Sequence, residues 1–158
     1  MTEVFEVFRS ELQAYADRGI FQNLSCNILG EKISEFKFHW MTDKQFTLRL
    51  NVLKHELELR NILPSVPFRS DMDNALREFI ISRCAKEIPI HRRLDGERFK
   101  IKAKNKNSDV SVLIGFSDSD SCLAVKTSIN LLHEIFNNFL VEGPYQNYMV
   151  EVFNLPEE

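Results

Sequence analysis

The sequence predicts a single α+β domain in which an antiparallel meander sheet packs on three helices. Apolar residues recur at helical spacing in three separate segments, and between these segments they alternate with polar residues at a period of two. The turns between neighbouring strand segments are short, which favours pairing between strands that are adjacent in the chain. At 158 residues the chain has the length of one domain, so we assign residues 1–158 to a single unit.

The first predicted element is a helix over residues 3–18. Val4, Phe8 and Leu12 recur at helical spacing on one face. Gly19 follows directly and is suited to close the helix, because glycine readily adopts the left-handed conformation that is common just after a helix C-terminus.

Residues 20–63 change to a period of two, which predicts three or four strands. The apolar members of the alternation are Phe36, Phe38, Trp40, Phe46, Leu48, Leu50, Val52, Leu57 and Leu59. This pattern is typical of antiparallel strands that have one buried and one solvated face. Their polar neighbours, among them Glu35, Lys37 and Arg49, are expected on the solvated face. Residues 20–28 are the weakest of the strand candidates.

The chain beyond this region is predicted to form a helix and then a hairpin. Pro64 ends the run of strands, because proline cannot donate to a sheet ladder. Ser70 or Asp71 is suited to cap a helix that extends over residues 71–85. Alternation then resumes on either side of a polar turn, which predicts a two-stranded hairpin over residues 97–116.

A third helix is predicted over residues 119–141, and its apolar residues occupy about half of its circumference. One sheet contact does not need an arc of this width. Either the helix lies between two surfaces of its own chain, or part of the arc meets another subunit. For the second case, Leu131 and Ile135 are the candidate dimer or partner surface. A final strand over residues 145–153 would complete the domain.

A row of cations is the strongest local departure from an ordinary surface composition. Because alternate residues of a strand share a face, one face of residues 98–106 carries Arg98, Lys100, Lys102, Lys104 and Lys106. One interpretation is an anion-binding track that contacts several phosphates or a partner, with the first four cations as the candidate residues. The other is protection of a sheet edge against aggregation. Proteins that bind single-stranded nucleic acids place aromatic rings beside their cations, whereas Phe99 points to the opposite face, so edge protection is favoured.

Recognisable catalytic and metal-binding motifs are missing from the sequence. The four histidines fall on different predicted elements without metal-ligand spacing, and GxSxG is absent. Five glycines in the whole chain provide no phosphate-binding loop. Cys26, Cys84 and Cys122 lack a CxxC spacing and are expected to be reduced, buried thiols. We therefore predict no catalytic, cofactor-binding or metal-binding residues.

Two further features are open to a functional interpretation. Arg83 lies inside the apolar arc of the second predicted helix. If this arginine is buried, it needs a carboxylate partner and could orient a ligand. More often an arginine near a helix end extends along its aliphatic stem so that its charge lies in water, and we favour this second interpretation. The acidic run of residues 117–121 lacks the distal glutamate of a calcium loop, and capping of the third helix explains it.

The order of elements is helix, three or four strands, helix, two strands and helix. This order resembles the secretion chaperone-like α+β fold of type III secretion chaperones and related small bacterial proteins. The resemblance covers most of the chain and rests on the order of elements alone. It implies a homodimer that binds an extended segment of a protein partner and has no catalytic activity.

Composition narrows the range of functions to those of a soluble globular domain. The chain is 44% hydrophobic and 27% charged, with no apolar run near the roughly 18–20 residues that span a bilayer and no signal-peptide pattern, so a cytoplasmic location is expected. The first hypothesis is a non-catalytic cytosolic protein-binding, adaptor or chaperone-like homodimer. The second is a nucleic-acid or polyanion binder that uses residues 98–106. The third is a small-ligand binder or an enzyme with a pocket between sheet and helices.

Overall fold

The computed structural model describes residues 3–40, 45–90, 93–141, 145, 148 and 151–152. In chain order the elements are α1 (Glu3–Asp17), β1 (Gln22–Ile28), β2 (Ile33–His39), β3 (Gln45–Asn51), β4 (Glu56–Leu63), α2 (Asp71–Ser82), β5 (Lys100–Lys106), β6 (Asp109–Gly115) and α3 (Ser121–Glu134). A short 3₁₀ turn precedes α3 and a π-helical segment, Ile135–Val141, follows it. The predicted α+β class with an antiparallel sheet and three helices is confirmed.

The six strands form one sheet in the order β1-β2-β3-β4-β6-β5, and every neighbouring pair is antiparallel. The first four strands are a meander, so the region 20–63 holds four strands. The β5–β6 hairpin then joins in reversed order, because β6 pairs with β4. This arrangement leaves β1 and β5 at the two edges of the sheet.

The helices pack on one face of the sheet, where the alternating apolar side chains of the strands lie. The ring of Phe5 in α1 stacks on Phe36 in β2 with centroids 5.9 Å apart. The ring of Phe136, just beyond α3, meets Phe46 in β3 edge-on at 5.2 Å. Leu76 of α2 belongs to the same buried cluster. Burial of this apolar surface is the main driving force for the fold.

The wide apolar arc of the third helix is explained by contacts within its own chain. Leu131 and Ile135 are both 0% exposed and belong to the core. They cannot meet a partner without unpacking that core, so the prediction that they form a dimer or partner surface is wrong. The helix also differs from the predicted continuous one, since its hydrogen bonding widens to a π pattern from Ile135.

Predicted capping residues lie at the start of α2 and at the end of α1, whereas Asp120 occupies the N-cap position of α3 without a side-chain cap hydrogen bond. Ser70 is the N-cap of α2, and its hydroxyl accepts a hydrogen bond from the Asp73 amide at 3.2 Å. This helix ends at Ser82, three residues earlier than predicted. Gly19 follows α1 with a positive φ of 78°, the backbone conformation predicted for it.

Two smaller expectations are corrected. The predicted final strand falls mostly outside the described residues, but Tyr148, Glu151 and Val152 have helical backbone, so an extended strand over 145–153 is wrong there. Cys26 is exposed and the other two cysteines are only partly buried, whereas three buried thiols were predicted. None of the described helices combines the length and apolar character needed to cross a membrane.

Candidate binding surface

The sheet face opposite the helices carries the polar residues of the strand alternation, and we call it the outer sheet face. No described helix packs on it. Cations outnumber acids there: the cations are Lys37, Arg49, Arg60, Lys100, Lys102, Lys104 and Lys106, and the acids are Glu35, Glu56, Glu58 and Asp109. The whole chain has a formal net charge of -3, so this face is basic in a protein that is acidic overall.

An ion-pair network neutralises the centre of the outer sheet face. Glu35 is buried and accepts from Arg49 Nε at 3.0 Å and from Arg60 Nη1 at 3.2 Å. Glu58 also pairs with Arg60, with 3.2 Å between Oε1 and Nε. Burial by itself would raise the pKa of Glu35, but the two guanidinium groups outweigh it and lower that pKa. The two arginines are therefore already engaged by acids of their own chain.

Replacement of Glu35 by Gln is expected to destabilise the protein by about 1 kcal/mol at pH 7, because both arginine partners are only partly buried. A carboxylate with a lowered pKa stabilises the fold above its unfolded pKa of about 4.3, and that contribution is lost as pH falls. The stability difference between wild type and variant should therefore shrink below about pH 4. Urea unfolding at pH 7 and pH 3.5 measures the stability difference between wild type and variant. A difference that grows in acid would contradict the lowered pKa of Glu35.

The lysine row, defined as Lys100, Lys102, Lys104 and Lys106, lies at the β5 edge of this face. All four side chains are exposed, as the alternation predicted. The β6 residues opposite the first three are Gly115, Leu113 and Ser111, which bring no negative charge. Within the described part of the chain, none of the four lysines forms an ion pair. Lys106 lies opposite Asp109, so the unneutralised part of the outer sheet face is Lys100, Lys102 and Lys104.

Arg98 does not share the environment of the lysine row. It precedes β5, and its Nε lies 3.8 Å from Asp95 Oδ2 and 3.9 Å from Asp120 Oδ1. Both acids reduce the charge that Arg98 presents to a partner. Of the four predicted anion contacts, the structure thus groups Lys100, Lys102 and Lys104 together and sets Arg98 apart.

The opposite side of β5 is fastened to α2. Arg77 Nη1 donates to the main-chain oxygen of Ala103 at 3.1 Å. Asn105 Nδ2 donates to Val66 O at 2.7 Å and to Asp73 Oδ1 at 3.1 Å. These contacts tie the strand that carries the lysines to α2 and to the loop before it.

Aromatic platforms are missing from the described strand residues of the outer sheet face. No Phe, Tyr or Trp occupies an outward position in β1 to β6. The depression around Arg49 and Arg60 has a volume of about 290 Å³, which suits one side chain better than a cofactor. The face is therefore suited to charge and hydrogen-bond contacts with a chain that lies across it.

Elsewhere the structure brings together groups that sequence spacing could not. His55 Nε2 contacts Asp118 Oδ1 beside a cleft of about 330 Å³. The nearby Ser121 hydroxyl donates to the main-chain oxygen of Asp118 at 2.8 Å, so it is not poised as a nucleophile. No cluster of three or more potential metal ligands occurs among the described residues. We interpret the His55–Asp118 contact as a tie between the β3–β4 turn and the start of α3.

Arg83 is partly buried and two of its guanidinium nitrogens, Nε and Nη2, are enclosed, so the expectation that its charge reaches water is wrong for those atoms. Its side chain is 14% exposed, and its Nη2 lies 3.2 Å from Oε2 of Glu134, which is 5% exposed. Asn138 also donates to Glu134 through its side-chain amide. The carboxylate partner that a buried arginine requires therefore comes from the end of α3. Its partner lies on a distant helix, so the local pattern around Arg83 contained no signal for it.

A larger pocket of about 600 Å³ lies between the loop after α2 and the helix α3. Charged side chains of both signs line it, including Lys86, Arg93 and Asp95, together with the partly exposed Leu123. Because acids and bases line it together, the pocket presents no charge of a single sign to a ligand. Comparison of the chain with models of protein families, with curated proteins and with solved structures finds no match.

Proposed function

We propose that this chain is a non-catalytic cytosolic protein-binding domain of the adaptor or chaperone-like kind, and that it binds its partner on the outer sheet face. One observation carries this proposal: Lys100, Lys102 and Lys104 are exposed, lie opposite uncharged residues of β6 and occupy a face on which no described helix packs. The order of elements adds support, since the fold it resembles implies a homodimer that binds an extended protein segment. Light scattering at two concentrations tests the homodimer.

The chemistry of the lysine row favours an acidic, extended segment as the ligand. Alternate residues of an extended chain repeat about every 6.8 Å, so carboxylates at every second position match the spacing of the lysines. Each exposed pair contributes about 0–1 kcal/mol, so several pairs must act together and salt must weaken them. We expect binding that is modest at physiological salt and markedly stronger at low salt.

Binding of nucleic acid or another polyanion is the second candidate function, because phosphates would meet the same lysines. It ranks lower because stacking on aromatic rings contributes about 1–3 kcal/mol per base in single-strand binders. The described strand residues of the outer sheet face provide no such ring. A polyanion bound here would be held by charge alone.

The triple substitution Lys100→Glu, Lys102→Glu and Lys104→Glu tests both candidates. We expect a fluorescent peptide of alternating Glu and Ser to bind wild type at low salt, and the triple variant to lose at least tenfold in affinity by fluorescence anisotropy. A single-stranded oligonucleotide of equal charge is the second probe. Preference for the peptide supports protein binding, and preference for the oligonucleotide supports the second candidate.

The matched control carries the same charge change at exposed lysines away from the row, Lys32→Glu, Lys54→Glu and Lys126→Glu. It should retain most of the peptide affinity, because its charges are distant from the proposed site. Equal losses in both triple variants would show that overall charge governs binding. That result, or no peptide binding by wild type at low salt, would overturn the outer sheet face as the partner site.

A further inference from the structure

The two edges of the sheet differ in how they are protected. β5 displays four lysines and is bonded to α2 through Arg77. β1 reads Gln-Asn-Leu-Ser-Cys-Asn-Ile and contains no charged residue. An edge strand presents unpaired main-chain groups, and proteins usually blunt such an edge with charge, proline or a covering segment. The strand bulges between Gln22 and Ser25, where Asn23 has a positive φ of 58°, but its regular part beyond the bulge carries neither charge nor proline.

Side chains on the core side of β1 extend beyond the cover of the helices. Cys26 lies opposite Phe36 in the sheet, which is 1% exposed, yet Cys26 itself is exposed. Ile28, on the same side of the strand, is 58% exposed, and the adjoining Leu29 is 52% exposed. The regular stretch beyond the bulge is therefore an uncharged edge with exposed apolar side chains among the described residues, which suits pairing with another strand.

We propose that β1 pairs antiparallel with β1 of a second copy around a two-fold axis, so that two six-stranded sheets continue as one. The axis passes beside Cys26, which then lies opposite its own counterpart. In this register Leu24 of each copy meets Ile28 of the other on the core side, and the strand brings no like charges together. This inference locates the homodimer included in the proposed function, and it does not depend on the lysine row.

The ion pair of α1 on the side of β1 joins one acid and one base. Glu6 and Arg9 of α1 form an ion pair at 3.2 Å, and α1 contacts β1. The pair is neutral as a whole, so a two-fold axis at β1 brings no net charge of one sign to the seam.

The size of the seam predicts a reversible dimer. Two seven-residue strands with their flanking side chains fall at or below the lower end of stable interfaces, about 1,200 Å². The dimer should therefore dissociate on dilution. In this dimer the two lysine rows lie at the far ends of the joined sheet, since β5 is the edge opposite β1.

Sedimentation velocity over a concentration series of the full chain, under reducing conditions, tests the proposal. Wild type should shift from 18.5 kDa toward twice that mass as concentration rises. Cys26→Lys should remain monomeric, because two cations would face each other at the axis, whereas Cys26→Ser should dimerise like wild type. The triple lysine-row variant should also dimerise, because its β1 is unchanged. The β1 dimer and the partner site can therefore fail independently of each other.

A mixture of two variants shows whether their monomeric state comes from charge repulsion at residue 26 or from misfolding. Cys26→Lys and Cys26→Glu, each monomeric alone, should form a heterodimer when mixed, because residue 26 of one copy faces residue 26 of the other. Mild oxidation should cross-link wild type and leave Cys26→Ser monomeric on a non-reducing gel. A wild type that stays monomeric at all concentrations, or a Cys26→Lys variant that still dimerises, would overturn the proposal.

Discussion

Replacement of Glu134 by Ala is expected to lower the free energy of unfolding by about 3–5 kcal/mol, because it leaves the Arg83 guanidinium buried without a carboxylate. Glu134 is 5% exposed and Arg83 14% exposed, so neither charge is well hydrated in the folded protein. For a chain of this length each kcal/mol corresponds to about 2–4 °C in melting temperature. Urea unfolding followed by circular dichroism measures the loss.

The double variant Arg83→Met and Glu134→Leu should recover most of that stability and lie within about 1 kcal/mol of wild type. Removing both charges removes their desolvation cost, and apolar side chains of similar volume pack in their place. The Arg83–Glu134 ion pair is not reinforced by hydrogen bonds, since Arg83 Nε and Nη2 have no hydrogen-bond partner among the described residues. Its net contribution to stability is therefore small, although the loss of one partner is severe.

The exposed pair Glu6–Arg9 is the matched control for this cycle. It joins the same charge types at 3.2 Å, but its side chains are 54% and 61% exposed. Its coupling energy should be about 0.3–0.5 kcal/mol, several times smaller than that of the buried pair. Equal coupling in the two cycles would show that Arg83 and Glu134 are hydrated in solution.

Replacement of Asp73 by Ala is expected to cost about 2–4 kcal/mol, because one buried carboxylate joins three parts of the fold. Asp73 is 1% exposed and accepts from Arg69 N at 3.0 Å, Asn105 Nδ2 at 3.1 Å and Arg77 Nε at 3.3 Å. These bonds connect the start of α2 to the β5 strand that carries the lysine row. Loss of the carboxylate should therefore loosen that edge as well as the helix.

The pH dependence of this effect has a defined sign. Burial alone would raise the pKa of Asp73, but the hydrogen bonds and the Arg77 charge lower it. Its contribution is fully present above the unfolded pKa of about 3.9 and is lost as pH falls through the lower folded value. The cost of Asp73→Asn should be largest near pH 7 and should decline below about pH 4. Asp71→Asn, an exposed first-turn acid of the same helix, should cost less than about 1 kcal/mol at either pH.

Local patterns accounted for the elements and for the direction of their side chains. The exposure of Lys100, Lys102 and Lys104, and the burial of Phe99 behind them, follow from a period of two that needs no knowledge of neighbours. The same holds for the cap at Ser70, whose hydroxyl acts on an amide three residues away. These features depend on short-range geometry, so the chain segment itself encodes them.

Predictions that depended on distant parts of the chain were the ones that changed. The sequence showed that Arg83 lies on an apolar arc, but its partner Glu134 is on another helix. It showed that the third helix is apolar over half its surface, but not that Leu131 and Ile135 are enclosed by the chain itself. Burial and ion pairing arise from contacts between segments far apart in sequence, and no local period records them.

The sequence by itself therefore determined an α+β domain with a solvated sheet face and a row of outward lysines. Only the tertiary structure decided that β6 inserts beside β4, which makes β5 and β1 the two edges and leaves β1 as the uncharged one. The order of strands in a sheet depends on the free energy of all their pairings and of the helices packed on them. Side-chain alternation within a strand is a property of its own backbone and is set before any neighbour arrives.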